Sequence, residues 1–122
     1  MPTVLIVEDE PHIRQFVIIN LKARGYKTLD AETAEDGLQL LKKYRPQALI
    51  LDIKLPGMSG WGMLNAIDHD PTLTKLPVII MTASSVLSQP DEYLYPNISE
   101  KLNKPVSVTE LMQAVQSIFH AL

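Results

Sequence analysis

Short apolar runs alternate with helix-period stretches along this chain. Thr3-Val-Leu-Ile-Val7 is rich in β-branched residues and reads as a buried strand. Two carboxylates, Glu8 and Asp9, stop it. Pro11 then opens a helix, at a position where a missing N–H costs nothing. Ile13, Phe16, Val17 and Leu21 keep helical spacing, and Gly25 marks its end. Ile18 and Ile19 fall partly off that stripe; sheet packing is the expected reason, with a partner-facing patch as the alternative. Lys27–Ala31 is a weaker strand. Thr33 caps a second helix with Asp36 in its first turn. That helix points Leu38 and Leu41 inward and stops before Pro46.

Ala48-Leu-Ile-Leu51 is the third strand, with Asp52 at its C-terminal end. Leu55-Pro-Gly-Met-Ser-Gly60 is dense in turn residues, and a third helix follows with Met63, Leu64 and Ile67 on one face. Pro77–Met81 is the fourth strand, ending at Thr82. A fourth helix is expected within Ser84–Ile98, but Pro90 and Pro96 interrupt it. An interior proline costs about 3 kcal/mol, so that helix is expected to be short, displaced or mobile. The fifth strand falls within Ser99–Asn103. The final helix has the clearest period, through Val108, Leu111, Met112, Val115, Ile118, Phe119 and Leu122.

Strands alternating with helices specify an α/β fold: one five-stranded parallel sheet built from right-handed βαβ units, helices on both faces. The 122 residues fit one domain, residues 1–122. Composition narrows the chemistry. There is no cysteine, hence no disulfide framework and no thiolate metal site. The net charge is −3 with no basic cluster, which argues against direct nucleic-acid binding. The apolar runs are too short to span a bilayer, and no signal peptide is visible. A cytoplasmic location is expected.

In open parallel sheets, ligands bind beyond the carboxyl ends of the strands. Glu8, Asp9, Asp52, Thr82 and Lys104 each follow a predicted strand and should therefore meet at one edge. Three carboxylates brought together repel unless a cation compensates. An all-oxygen ligand set suits a hard cation such as Mg²⁺, which leaves room for a phosphate oxygen. A carboxylate can accept a phosphoryl group covalently. Lys104 offers a compact positive charge and Thr82 a hydroxyl donor. His12, His69 and His120 are scattered and read as surface residues. Met58, Met63, Met81 and Met112 read as core or turn filler.

Val7-Glu8-Asp9-Glu10, Leu51-Asp52 with Pro56-Gly-Met-Ser-Gly60, Met81-Thr82-Ala83 and Lys104-Pro105 together resemble the receiver domain of two-component response regulators. The spacing fits as well: 43 residues from Asp9 to Asp52, 30 more to Thr82 and 22 more to Lys104. The resemblance implies a flavodoxin-like sheet of order 2-1-3-4-5. It implies Asp52 as phosphoacceptor, with Thr82 and Lys104 contacting the phosphoryl group. It implies Mg²⁺ held by Glu8 (largely through water), Asp9, Asp52 and the backbone carbonyl of Lys54. The donor would be a phosphohistidine on a sensor histidine kinase or histidine phosphotransfer protein. Such a module catalyses only its own phosphorylation and dephosphorylation, and is expected as a monomer or weak homodimer.

The chain departs from that family in three places. Lys101 stands where receivers usually carry an aromatic. The interrupted fourth helix is the second. Lys54 and Ser84, facing the phosphoryl site, are the third and should tune the lifetime of the phosphoaspartate. A stand-alone regulator is expected because Met1 leads straight into the first strand; a receiver cut from a hybrid kinase is the alternative. An aspartyl-nucleophile phosphatase would want a carboxylic acid at position 54, which is lysine. A nucleotide-binding domain would want a glycine-rich phosphate loop, which the sequence lacks. A receiver-like binding domain that had lost phosphorylation would not need the complete acceptor set.

Overall fold

Residues 3 to 7 carry side chains that alternate between the two faces of a sheet, and both faces are apolar. This is why Thr3–Val7 (β1) sits in the interior of the sheet, with Val4, Leu5, Ile6 and Val7 all buried. The computed structural model describes residues 2–83 and 95–119. The remaining strands are Lys27–Ala31 (β2), Ala48–Leu51 (β3), Val78–Thr82 (β4) and Ile98–Asn103 (β5). They form one parallel sheet in the order β2-β1-β3-β4-β5, the order expected from the sequence.

The described helices are Pro11–Ala23 (α1), Ala34–Tyr44 (α2), Gly60–Asp68 (α3) and Val108–Phe119 (α4). One face of the sheet, through Leu5, Val7, Leu49, Leu51, Val78 and Ile80, packs on Leu41 of α2 and Met63, Leu64 and Ile67 of α3. The other, through Val4, Ile6, Ile50, Ile79 and Met81, packs on Val17, Ile18 and Leu21 of α1 and Leu111, Met112 and Val115 of α4. The two cores share only the sheet between them, so each βαβ unit is clamped from its own side.

Local signals set the helix ends. Pro11 takes the first position of α1, and Gly25 follows its end with φ 90°. The Thr33 hydroxyl accepts from the Asp36 amide at 3.1 Å, as expected. Arg45 ends α2 in the left-handed region at φ 51°, directly before Pro46. Ser59 caps α3 by accepting from the Gly62 amide at 3.2 Å. A reciprocal box opens α4: Ser107 Oγ accepts from the Glu110 amide at 3.0 Å, and Glu110 Oε1 accepts from the Ser107 amide at 3.2 Å.

The helix expected within Ser84–Ile98 lies outside the described residues, apart from a turn at 95–97 and the first residue of β5. Leu122 and His120 also lie outside them. Ile18 is buried in sheet packing, but Ile19 is 62% exposed, so sheet packing accounts for only one of the pair. β5 alternates half-buried with exposed positions and starts one residue earlier than expected. It is an edge strand with one wet face, which is why its apolar signal is weak. Asn97 fixes its start. The side-chain amide donates towards the carbonyls of Leu73, Thr74 and Leu76 at 3.2, 3.0 and 2.8 Å, and the Asn97 carbonyl accepts from Val78 N–H at 2.9 Å.

Candidate functional site

The C-terminal ends of β1, β3 and β4, with the residue after β5, deliver the predicted residues to one cleft of about 580 Å³. Asp9, Glu10, Asp52, Lys54, Leu55, Pro56, Thr82, Ala83 and Lys104 line it. Backbone bonds hold these ends in step. The Asp52 amide donates to the Val7 carbonyl at 3.0 Å, and the Lys104 amide to the Thr82 carbonyl at 2.9 Å. The Lys104–Pro105 peptide is cis.

Glu8, Asp9 and Asp52 each bring a carboxylate oxygen within 4.8 Å of the other two. Glu8 is fully buried, Asp52 is 3% exposed and Asp9 is half-buried. Lys104 Nζ lies 2.7 Å from Glu8 Oε1 and 3.0 Å from Asp52 Oδ2. The second oxygen of each acid is also held: Asp52 Oδ1 accepts from the Lys54 amide at 3.1 Å, and Glu8 Oε2 accepts from the Glu10 amide at 3.1 Å. Thr82 Oγ1 differs. It is buried and, among the described residues, has no hydrogen-bond partner.

The electrostatics follow from this crowding. Burial pushes the Glu8 carboxyl up to about 7; its bond to Lys104 opposes the rise, and the charge of Asp52 adds to it. Burial alone would lower the Lys104 ammonium. Its bonds to Glu8 and Asp52 outweigh that and hold it above the usual lysine value. Among the described residues, Lys104 alone is ion-paired with the buried acids Glu8 and Asp52, so the three-carboxylate cluster is short of paired positive charge.

All the predicted residues thus converge: Glu8, Asp9, Asp52, Lys54, Thr82 and Lys104. Ser84 lies outside the described residues. Lys101 is exposed on β5, and Trp61 of α3 stacks on Tyr95, which precedes β5, with ring centroids 6.0 Å apart at 18°.

Two residues that shape the site were not singled out from the sequence. Gly60 opens α3 against the acceptor's own backbone: a Cβ there would lie 2.5 Å from Ile53 Cα and 2.6 Å from the Asp52 carbonyl oxygen. Its place in the Pro-Gly-Met-Ser-Gly turn was visible, but the close approach was not. Arg14 is buried on α1 and donates to the Glu8 carbonyl at 2.8 Å. A charged residue one turn into a helix gives no such signal.

Comparison with known proteins agrees with this geometry. Residues 4–116 match the family model of the response regulator receiver domain. The chain is 28% identical over 116 residues to the phosphate regulon transcriptional regulatory protein PhoB of Pseudomonas aeruginosa, covering 95% of this chain and 51% of that protein. It is 33% identical over 116 residues to histidine kinase P4 of Formosa agariphila, covering 95% of this chain and 8% of the kinase. A crystal structure of a response regulator receiver domain protein from Clostridium thermocellum superposes with a TM-score of 0.88 at 25% identity, covering 99% of this chain and 96% of that one. The chain belongs to the response regulator receiver domain family of two-component systems. It spans about half the length of the PhoB relative and a small fraction of the kinase. Among the described residues, no helix is long and apolar enough to cross a membrane.

Proposed function

We propose that residues 1–122 act as one phosphorylation-dependent signalling module in which Asp52 takes a phosphoryl group from a phosphohistidine. The observation that carries this is the cleft itself. A buried carboxylate, a lysine bonded to it and an unpartnered buried hydroxyl face one another across it. A tetrahedral phosphoryl group has oxygens to satisfy both donors. In the transfer, an Asp52 carboxylate oxygen forms the new bond to phosphorus. The P–N bond breaks, its electron pair stays on the imidazole, and that ring is left neutral once its protons re-equilibrate with solvent. Lys104 shifts from the Asp52 oxygen towards the incoming phosphoryl oxygens, and the Thr82 hydroxyl donates to another. Such steps depend mainly on positioning and on neutralising charge.

The residues present fit a Mg²⁺ ion. Glu8, Asp9 and Asp52 supply only oxygen, their oxygens converge, and one lysine leaves the cluster short of positive charge. With the Lys54 carbonyl they would hold the ion, Glu8 largely through water. When bound, Mg²⁺ supplies positive charge next to the phosphoryl oxygens and relieves the repulsion among the acids.

The donor we assign is a sensor histidine kinase or a histidine phosphotransfer protein, because relatives of this domain occur both in regulators and within a histidine kinase. The module performs no turnover beyond its own phosphorylation and dephosphorylation. It works in the cytoplasm as a monomer or weak homodimer and signals by altered binding to a protein partner. The test is to trap the adduct. After acetyl phosphate and Mg²⁺, borohydride reduction converts an aspartyl phosphate to homoserine. Peptide mass spectrometry should place homoserine at position 52, and homoserine at another acid instead would refute Asp52 as acceptor.

A further inference from the structure

Both main-chain polar groups of Glu8 are tied to the same three residues at the end of β2. Its amide donates to the Ala31 carbonyl at 3.1 Å. Its carbonyl accepts from Arg14 Nη1 at 2.8 Å. The Arg14 guanidinium is in turn held by the neighbours of Ala31: Nε lies 3.3 Å from Asp30 Oδ2 and Nη2 lies 3.4 Å from Glu32 Oε1. Arg14 is buried while the two carboxylates are largely exposed. A buried guanidinium is costly unless paired; here the flat fork donates to the Glu8 carbonyl and to Glu32, while Nε, with no hydrogen bond of its own, stays within ion-pair distance of Asp30.

The consequence falls on the next residue. Once the Glu8 amide and carbonyl are both fixed, the peptide plane leading into Asp9 is fixed too. Three mutually repelling carboxylates would otherwise relieve their crowding by rotating that plane and turning Asp9 outward. We infer that Arg14 is a positioning residue for cation binding, clamping the Glu8–Asp9 peptide to the end of β2 so that the acids converge before the ion arrives. This rests on the Mg²⁺ reading above.

Charge and clamp predict opposite signs. Arg14 is a cation near a cation site. If it acted only through its field, replacing it with a neutral residue would tighten Mg²⁺ binding. As a clamp, its loss must weaken binding. Outer groups that orient metal ligands typically account for about 10–100-fold in affinity.

The experiment is titration of the intact, unphosphorylated chain with MgCl₂, by calorimetry and by amide shifts in ¹⁵N–¹H spectra. Arg14→Met keeps length and apolar packing without the fork. Arg14→Lys keeps the charge, but its compact ammonium cannot span the Glu8 carbonyl and both β2 carboxylates. Mg²⁺ affinity should fall about tenfold or more in Arg14→Met and by a smaller factor in Arg14→Lys. Urea midpoints in EDTA, recorded alongside, separate this from stability, since a merely structural role lowers the midpoint but leaves the affinity of the folded protein unchanged. Equal or tighter Mg²⁺ binding in folded Arg14→Met overturns the inference. If Arg14→Met does not fold, unchanged affinity in Arg14→Lys overturns it. A wild type that binds no Mg²⁺ overturns the metal reading and this inference together, a result distinct from either variant outcome.

Discussion

Lys104→Ala should slow phosphorylation of the chain by about 10²–10³-fold, the usual consequence of removing one donor aimed at developing charge. The reason lies in what Lys104 touches. Its ammonium is 3.0 Å from Asp52 Oδ2 and 2.7 Å from Glu8 Oε1, and its own amide is tied to the Thr82 carbonyl. No other lysine or arginine nitrogen among the described residues pairs with either acid. The Ala variant therefore takes a dianionic phosphoryl group into a cleft of three carboxylates without the one ammonium bonded to Asp52 and Glu8. The measurement is the rate of adduct formation with acetyl phosphate at saturating Mg²⁺. Lys101→Ala is the control. Lys101 lies three residues away on β5 and is exposed, and its removal should leave the rate within about twofold. Equal slowing in both variants would mean that general surface charge, not the placement of Lys104, governs the reaction.

Gly60→Ala should be markedly more destabilising than Gly37→Ala, and should impair phosphorylation as well. Its new methyl group would stand 2.5 and 2.6 Å from backbone atoms of Ile53 and Asp52, and backbone cannot turn aside as a side chain can. Either α3 lifts from the sheet or the acceptor loop moves. Overpacking of this kind costs about 1–3 kcal/mol or more. Gly37→Ala is the informative contrast. A Cβ there meets Val7 Cγ2 at 2.8 Å and Met63 Cε at 3.0 Å, side-chain atoms rather than backbone; the flexible Met63 can turn aside, while the stiff, buried Val7 must shift slightly. Its position inside α2 also gains about 1 kcal/mol of helix propensity. Urea denaturation should show Gly60→Ala clearly weakened and Gly37→Ala weakened less, its strain against Val7 partly offset by helix propensity. The reverse order would contradict the close approach of α3 to Asp52.

Much of this was legible from the chain. β1, β3 and β4 are buried on both faces, so their sequences are unbroken apolar runs, and Pro11, Gly25 and Thr33 mark helix ends by local chemistry. Because ligand sites gather beyond the carboxyl ends of parallel strands, Glu8, Asp9, Asp52, Thr82 and Lys104 could be brought together before any coordinates. What could not be read depends on contacts between elements distant in sequence. Arg14 looks like a solvated helix residue until the end of β2 is placed beside it. Asn97 looks like a turn residue until three carbonyls from 73, 74 and 76 converge on its amide. Gly60 looks like turn chemistry until α3 is packed on Asp52. The strand β5 was faint because one of its faces is wet. The Ser107-Val-Thr-Glu110 capping box was not read from the sequence, although its signal is local.

The central claim is that Asp52 carries the phosphoryl group. Intact mass of wild type and Asp52→Ala, each incubated with acetyl phosphate and Mg²⁺ under identical conditions, tests it most directly. Wild type should gain one phosphoryl group, and should gain none when Mg²⁺ is stripped before the reaction, while Asp52→Ala, shown to be folded, should gain none even with Mg²⁺ present. A folded Asp52→Ala that gains the group as readily as wild type would contradict the account.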